Sequence, residues 1–299
     1  MPDARPSSSA ASAQPAVQHL VVRYAKRGKM RFASHRDVAR AFERGVRRAG
    51  LPIAYSAGYT PHPKISYAGG APTGVASEAE YLILALTARQ AEAQVRQRLD
   101  MALPDGIDVI DVAERVSPGP SPQATEPAVS PQATQPAGPA PRDGIARSQP
   151  GVSGAPSAAL GGLEASQWQV VLPGVQPAAA RSAVAGFLAR AEAPVQRLTD
   201  KGVRLLDARA AVAGLSVLDP GVLDPAGRSH RDGGSIAAVT GLNDCAILRM
   251  VVLHTVPAVR PDDVLTALRE DHGIAPSSPP LTTRLAQGPR ALLTGQEAS

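Results

Sequence analysis

The sequence predicts an α+β protein made of two domains with the element order β-α-β-β-α-β, joined by a disordered Pro/Ala-rich linker. Short aliphatic and β-branched runs alternate with helical patterns before residue 117 and again after residue 165. The segment between these regions is rich in Pro, Ala, Ser and Gly. A chain of 299 residues, 43% of them hydrophobic, is long enough to build two such cores.

The first domain is predicted to span residues 19–116, after a disordered tail at 1–18. A helix should begin at His35, because Ser34 and Asp37 have the spacing of a capping box, and it should end before Gly50. A second helix is expected at 89–100. Strands are predicted at HLVVRYAK (19–26), PIAYS (52–56), EYLILALT (80–87) and IDVIDVAE (107–114). This order is that of a ferredoxin-like fold.

The linker is predicted at residues 117–165. It contains a duplicated nine-residue segment, SPQATEPAV and SPQATQPAG, and its composition buries too little apolar surface to offset the entropy of ordering. A second ferredoxin-like domain is expected at 166–289, with a loop insertion at 219–244 and a tail at 290–299. Its helices are predicted at 177–192 and 260–271, and its strands at 166–173, within 195–209, at 215–219 and at 245–256.

Several classes of site are excluded by the composition. The single cysteine, Cys245, cannot supply an iron–sulfur cluster, a multi-thiolate zinc site or an internal disulfide. The phosphate-loop pattern GxxxxGK[ST] and the nucleophile elbow GxSxG are both missing. No apolar run reaches the ~18 residues of a membrane span, and the opening residues lack the apolar core of a signal peptide. We therefore expect a cytoplasmic protein with no cofactor of its own.

Positive charge is concentrated in one part of the chain. Residues 19–75 contain eleven Lys or Arg and only two acids, although the net charge of the whole chain is +5. All five tyrosines lie between residues 24 and 81. A local excess of cations interleaved with aromatic residues favours a polyanionic ligand.

The predicted helix after Ser34 has one basic side and one apolar side. At 100° per residue, Arg36, Arg40, Arg44 and Arg47 fall within an arc of about 80°, opposite Val38, Phe42, Val46 and Ala49. Such a stripe is either a solvated surface or a phosphate-binding surface. The scarcity of acids at i±4 favours phosphate binding, because a merely solubilising surface usually carries them.

Two histidines are candidates for function. His35 stands in the first turn of this helix and, with Lys29, Arg31 and Ser34, could hold an anionic group, or it could be a packed core histidine. His62 lies between Pro61 and Pro63, which fix its backbone, with Tyr59 and Lys64 nearby. The two imidazoles could act as general acid and base. Glu78 and Glu80 could complete a metal site, but Glu80 is expected to begin a strand and no third ligand is evident, so we predict no metal site.

The blocks RFASHRD (31–37), AFERGVRRAGLPIAYSAGYTPHPKIS (41–66) and PTGVASEAEY (72–81) resemble the bacterial radical-SAM-linked family. This is a domain of unknown function found alone or fused to cobalamin-binding-type radical-SAM proteins. The resemblance covers about residues 19–113, with Thr60 where the family often has Asn. It implies that a radical-SAM protein is a partner, and any S-adenosylmethionine or cobalamin would belong to that partner. The motif positions are Arg31, Ser34, His35, Asp37, Gly58, Pro61, His62, Pro63, Gly74, Ser77 and Glu80.

Three functions are compatible with these observations. The favoured one is an accessory protein that binds RNA in RNA modification or processing, with phosphates on the arginine stripe and bases on Tyr55, Tyr59 or Tyr67. The second is a metal-independent enzyme that uses His35 and His62 on RNA. The third is an adaptor that docks its basic surface on an acidic protein.

Overall fold

The computed structural model describes residues 14–115, 162–199, 202–218 and 245–294. We call residues 14–115 the first half and the described residues from 162 onward the second half. The predictions for residues 1–13, for most of the linker and for the insertion at 219–244 lie outside these ranges. Within them, none of the helices combines the length and the apolar character that a membrane span requires.

The first half contains four strands, two α-helices and one short 3-10 helix. The strands are β1 (Gln18–Lys26), β2 (Ile65–Ala68), β3 (Ala76–Leu86) and β4 (Ile107–Glu114). The helices are the 3-10 helix Gly28–Phe32, then α1 (His35–Arg48) and α2 (Glu92–Ala102). Buried and less buried residues alternate along most of β1, as expected for a strand with one face on the core.

The second half begins with strand β5 (Ala165–Pro173) and helix α3 (Pro177–Ala189). The strands that follow are β6 (Pro194–Thr199), β7 (Gly202–Asp207), β8 (Val212–Leu218) and β9 (Cys245–Leu253). Helix α4 (Pro261–His272), strand β10 (Leu281–Gly288) and the short helix α5 (Arg290–Thr294) complete it. Strands β6 and β7 form a separate hairpin in the segment 195–209, where the sequence predicted one or two strands.

Eight strands from both halves form one mixed sheet. Its order is β4-β1-β3-β10-β5-β9-β8, with β2 also paired to β3. The sheet neighbours are antiparallel except β3 and β10, which are parallel and join the two halves. The predicted α+β class is confirmed.

Strand β2 is short, and this leaves room for β10. Residues 65–68 of β2 pair with residues 81–84 of β3, whereas β10 pairs with Ala76 and Ser77. Because β1 covers the other edge of β3, β2 and β10 share one edge. The backbone groups at the start of β3 therefore receive partners from a distant part of the sequence.

Each half has its own apolar core. In the first half, Leu20, Phe42, Leu84 and Leu99 are fully buried in one cluster. The second cluster includes Phe187, Leu248 and Met250, and it also contains Val75 from the loop between β2 and β3. This loop belongs to the first half but packs on the second.

One predicted strand is wrong, and the strands β2 and β10 were missed. Residues 52–56 form only isolated bridges, from Ile53 to Leu86 and from Tyr55 to Pro63, and the second strand is instead Ile65–Ala68. Both segments are short and apolar, so composition alone could not choose between them. Strand β10 was missed because its buried positions Thr282, Arg284 and Gln287 are polar.

Candidate functional site

Helix α1 begins with a complete capping box. The Asp37 N–H donates to Ser34 Oγ (3.2 Å), and the Ser34 N–H donates to the Asp37 carboxylate (3.2 Å). The Ser34 hydroxyl also donates to Asp37 (2.6 Å). These bonds, together with the charges of Arg40 and Arg36, lower the pKa of Asp37. The predicted cap is confirmed, and it fixes where His35 emerges.

The two sides of α1 differ as the sequence predicted. Val38, Phe42 and Val46 are buried against the sheet. The opposite side exposes four arginines, which we call the arginine face: Arg36, Arg40, Arg44 and Arg47.

Ion pairs neutralise little of the positive charge on the arginine face. Arg47 donates from Nε to the carbonyl of Glu43 (3.0 Å), an uncharged acceptor. Among the ion pairs between described residues, none involves Arg36, Arg40 or Arg44. Arg27 behaves differently, because its guanidinium pairs with Glu78 and with Asp108 (2.8 Å). Acids from β3 and β4 therefore offset part of the positive charge of this half, but not the charge on α1.

The segment GYTPHPK (58–64) forms an exposed loop held at its base. The His62 N–H donates to Ser56 Oγ (3.0 Å), and the Ser56 N–H donates to the His62 carbonyl (2.9 Å). The Tyr59 ring is fully exposed, and the side chain of Lys64 is exposed as well. Gly58 has φ of +130°, which explains the need for glycine there. Pro61, which is exposed, and Pro63, which is partly buried, flank His62.

A pocket of about 150 Å³ opens beside the first turn of α1. Three of its lining side chains are acidic or basic and come from different elements: Lys26 from the end of β1, His35 from α1 and Glu80 from β3. The remainder of the lining is Tyr24, Val38, Gly70 and Ala71. The His35 ring stands edge-on to Tyr67, with ring centroids 5.2 Å apart.

Lys26 is a buried cation, only 3% exposed. Its ammonium group donates to the carbonyls of Ala71 (3.1 Å) and Pro72 (3.3 Å). Burial lowers the pKa of Lys26, as do the nearby charges of Arg284 and Arg31, whereas Glu80 raises it. Sequence reasoning missed Lys26. The alternation of β1 could have found it, because Leu20, Val22, Tyr24 and Lys26 all point to the buried side.

Glu80 is held by both halves of the protein. Its Oε1 accepts from Arg284 Nη2 of β10 (2.8 Å), and its Oε2 accepts from the Ala71 N–H (3.0 Å). Both side chains of this ion pair are almost fully buried. Arg284 also donates to the carbonyl of Gly69 (2.8 Å) and lies 5.1 Å from the centre of the Trp168 ring. Glu80 therefore lies between the pocket and the contact of the two halves.

Several of the remaining motif residues form hydrogen bonds near the pocket. Arg31 Nε donates to the carbonyl of Gly74 (2.7 Å), and the Gly74 N–H donates back to the carbonyl of Arg31 (2.7 Å). Ser77 is buried at the start of β3, where it accepts from the Ala79 N–H (3.2 Å). Lys29 is exposed on the 3-10 helix. The first and third motif blocks thus meet around the pocket.

The pocket brings His35 and Glu80 together but does not include His62. His62 precedes β2 by three residues, whereas His35 packs on Tyr67, the third residue of that strand. The imidazoles of His35 and His62 therefore lie in different local environments. Within the described ranges, no cluster of three or more His, Cys, Asp or Glu side chains could hold a metal ion.

Part of the chain is similar to a known family of proteins. Residues 19–130 match a family model described as an uncharacterized protein conserved in bacteria (DUF2344). No curated protein gives a significant match to the chain. The matched range contains the arginine face, the exposed loop and every side chain that lines the pocket, but not Arg284.

Proposed function

We propose that the first half binds single-stranded RNA through the arginine face of α1, in RNA modification or processing. One observation carries this proposal: four arginines project into solvent along one side of a helix, and the ion pairs between described residues supply no acid for Arg36, Arg40 or Arg44. Mutual repulsion along such a row opposes folding, and a phosphate backbone relieves it. The row extends over about 16 Å of helix at 1.5 Å per residue, enough to contact several phosphates.

An exposed aromatic ring supports single-stranded rather than duplex RNA. Unpaired bases stack on aromatic side chains while cations follow the backbone. Tyr59 is fully exposed in a loop that two prolines stiffen, and Lys64 is exposed at the end of the same loop. A ring presented in this way can accept a base with little loss of backbone entropy.

The proposal extends to the fold and the partner. We assign a ferredoxin-like unit to each half, and the supporting observation is the strand order, β4-β1-β3-β2 in one half and β10-β5-β9-β8 in the other. We also propose a cytoplasmic location and a radical-SAM protein as partner. The motif resemblance supports the partner. With a single cysteine in this chain, the iron–sulfur cluster would belong to that partner.

The test is the salt dependence of RNA binding. Fluorescence anisotropy with a labelled 12-nucleotide RNA should give an affinity that falls steeply between 50 and 200 mM salt. The double variant Arg40→Glu/Arg44→Glu should lose at least about tenfold in affinity, and its slope of log K against log salt should be shallower by about two.

The matched control is the double variant Arg204→Glu/Arg269→Glu. It makes the same change in net charge at two exposed positions of the second half, on β7 and α4. It should bind RNA within about twofold of wild type at 0.15 M salt, where exposed charges more than ~8 Å apart are largely screened. Unchanged RNA binding by the α1 variant, or equal losses in both variants, would contradict the proposal. Equally tight binding of single-stranded DNA would reassign the nucleic acid.

A further inference from the structure

We propose that the pocket beside α1 binds a terminal phosphate monoester of the RNA. This inference rests on the proposed RNA binding, since it adds a specific end-recognition site to a non-specific surface. Lys26 and His35 would contact the phosphate oxygens, and Gly70 would leave the space that the phosphate occupies.

The charges around the pocket favour an anion. Three cations influence this site, namely Lys26, Arg31 and Arg284, against one carboxylate, that of Glu80. Both oxygens of Glu80 already accept hydrogen bonds, one of them from the Arg284 guanidinium. The pocket therefore retains an excess of positive charge, in surroundings where burial strengthens electrostatic attraction.

Lys26 has a donor to spare. An ammonium group has three N–H donors, and the carbonyls of Ala71 and Pro72 take two of them. A buried ammonium with only neutral acceptors has lost most of its hydration. A phosphate oxygen would restore it through a charge-assisted hydrogen bond, the stronger kind.

Gly70 gives the pocket its open volume. A Cβ added at this position would lie 3.5 Å from His35 Nδ1 and 3.8 Å from Glu80 Oε2, in ordinary contact with both. A side chain here would therefore project between the two functional groups without a backbone clash. The open volume of about 150 Å³ is similar to that of an engineered cavity that holds benzene, and a phosphate group is smaller than that ring.

The recessed position of Lys26 favours a monoester over an internal phosphodiester. An internal phosphate has two ester arms and one negative charge, so it suits the open arginine face. A terminal phosphate has one arm and a charge of about −1.5 to −2 at pH 7. A terminal group points three unesterified oxygens away from its one ester arm, so it can reach a side chain that is 3% exposed without bringing a second arm into the pocket.

The experiment measures the binding affinity of three RNAs of one sequence at 0.15 M salt. One carries a 5′-phosphate, one carries a 3′-phosphate and one has hydroxyls at both ends. A mononucleotide monophosphate is measured as a fourth ligand. Wild type should bind one phosphorylated RNA at least about fivefold more tightly than the hydroxyl RNA, as expected for one charge-assisted contact. Gly70→Val, which fills the pocket, and Lys26→Met, which removes the cation, should each abolish this preference. Both should keep the affinity for hydroxyl RNA within about twofold, since the arginine face is intact.

The control is Gly288→Ala at the end of β10, where an added Cβ meets no heavy atom within 4 Å. It should keep the preference for the phosphorylated end. Lys26→Met should also unfold at a denaturant concentration close to that of wild type, because the removal of a buried charge offsets the hydrogen bonds lost at the carbonyls of Ala71 and Pro72. A purely structural Lys26 would instead be needed for stability.

The outcomes separate this inference from RNA binding itself. Equal affinity for all three RNAs with no mononucleotide binding overturns the pocket and leaves the arginine face standing. A preference that survives in both pocket variants overturns it too. If no RNA binds, mononucleotide binding that Gly70→Val and Lys26→Met abolish assigns the pocket to a free phosphate monoester, and the RNA proposal alone fails.

Discussion

The full exposure of Tyr59 leaves its ring free to meet a ligand. Few large aromatic rings stand fully in water, and this one tops a loop that hydrogen bonds between Ser56 and His62 hold at its base. Lys26, by contrast, is a charged side chain that is almost completely buried. The burial of this charge costs free energy in the isolated protein, and such costs concentrate at functional positions.

Replacing Tyr59 separates stacking from charge. Tyr59→Ala should weaken binding of single-stranded RNA about fivefold or more, because one base stacked on an aromatic ring contributes ~1–3 kcal/mol. The slope of log K against log salt should stay as in wild type, since no cation is lost. Anisotropy titrations at several salt concentrations measure both quantities.

Tyr59→Phe is the matched control and should bind as wild type, because the ring rather than the hydroxyl carries the interaction. Thermal unfolding of all three proteins should coincide, since an exposed ring contributes little to stability. An alanine variant with wild-type affinity would remove the loop from the RNA site.

At the scale of elements, α1 connects the two proposed sites. Its exposed side carries the arginine face, and its first turn presents His35 to the pocket. The position of that turn depends on the capping box between Ser34 and Asp37. The cap should therefore affect both stability and recognition of the RNA end.

Ser34→Ala should lower the free energy of unfolding by about 1 kcal/mol, as loss of an N-cap does. It should also raise the pKa of Asp37 toward 3.8, since the largest cause that lowers this pKa is the Ser34 hydroxyl. Urea denaturation and an NMR titration of the carboxyl carbon test the two effects. Ser34→Asn, which can still cap, should keep most of the stability.

The sign of the associated pH dependence follows from the lowered pKa. The stability that Asp37 contributes is fully present above pH 3.8 and is lost as the pH falls through its lower folded pKa. The difference in stability between wild type and Ser34→Ala should therefore shrink in acid. A difference that grows below pH 3.8 would contradict the role given to this carboxylate.

The elements with local signals could be predicted, and those that depend on distant partners could not. The 3.6-residue period and the cap predicted α1 with both of its faces, and alternation predicted β4 at Ile107–Glu114. Strand β10 has buried polar residues because it pairs with β3. No local sequence pattern predicts that pairing. The same cause hid Arg284, which lies 204 residues from its partner Glu80.

At the scale of the whole molecule, the second half contacts residues that line the pocket of the first or lie next to it. Arg284 neutralises Glu80 and holds the carbonyl of Gly69, next to Gly70 at the pocket wall. Val75, from the same loop, is buried in the core of the second half, and Gln287 donates to the carbonyl of Ala79. The shape of the pocket thus depends on the contact between the halves.

The buried ion pair provides the sharpest test of this dependence. Arg284→Met leaves Glu80 buried without its cation and should lower the free energy of unfolding by about 3–5 kcal/mol. Glu80→Gln/Arg284→Met should recover much of that loss, because no uncompensated charge remains. Arg27→Met, which breaks a more exposed ion pair with Glu78 and Asp108, should cost only about 1 kcal/mol. Urea denaturation of the four proteins measures these differences. Equal losses in Arg284→Met and Arg27→Met would mean that the two halves meet without depending on this pair, and the pocket would then be a property of the first half alone.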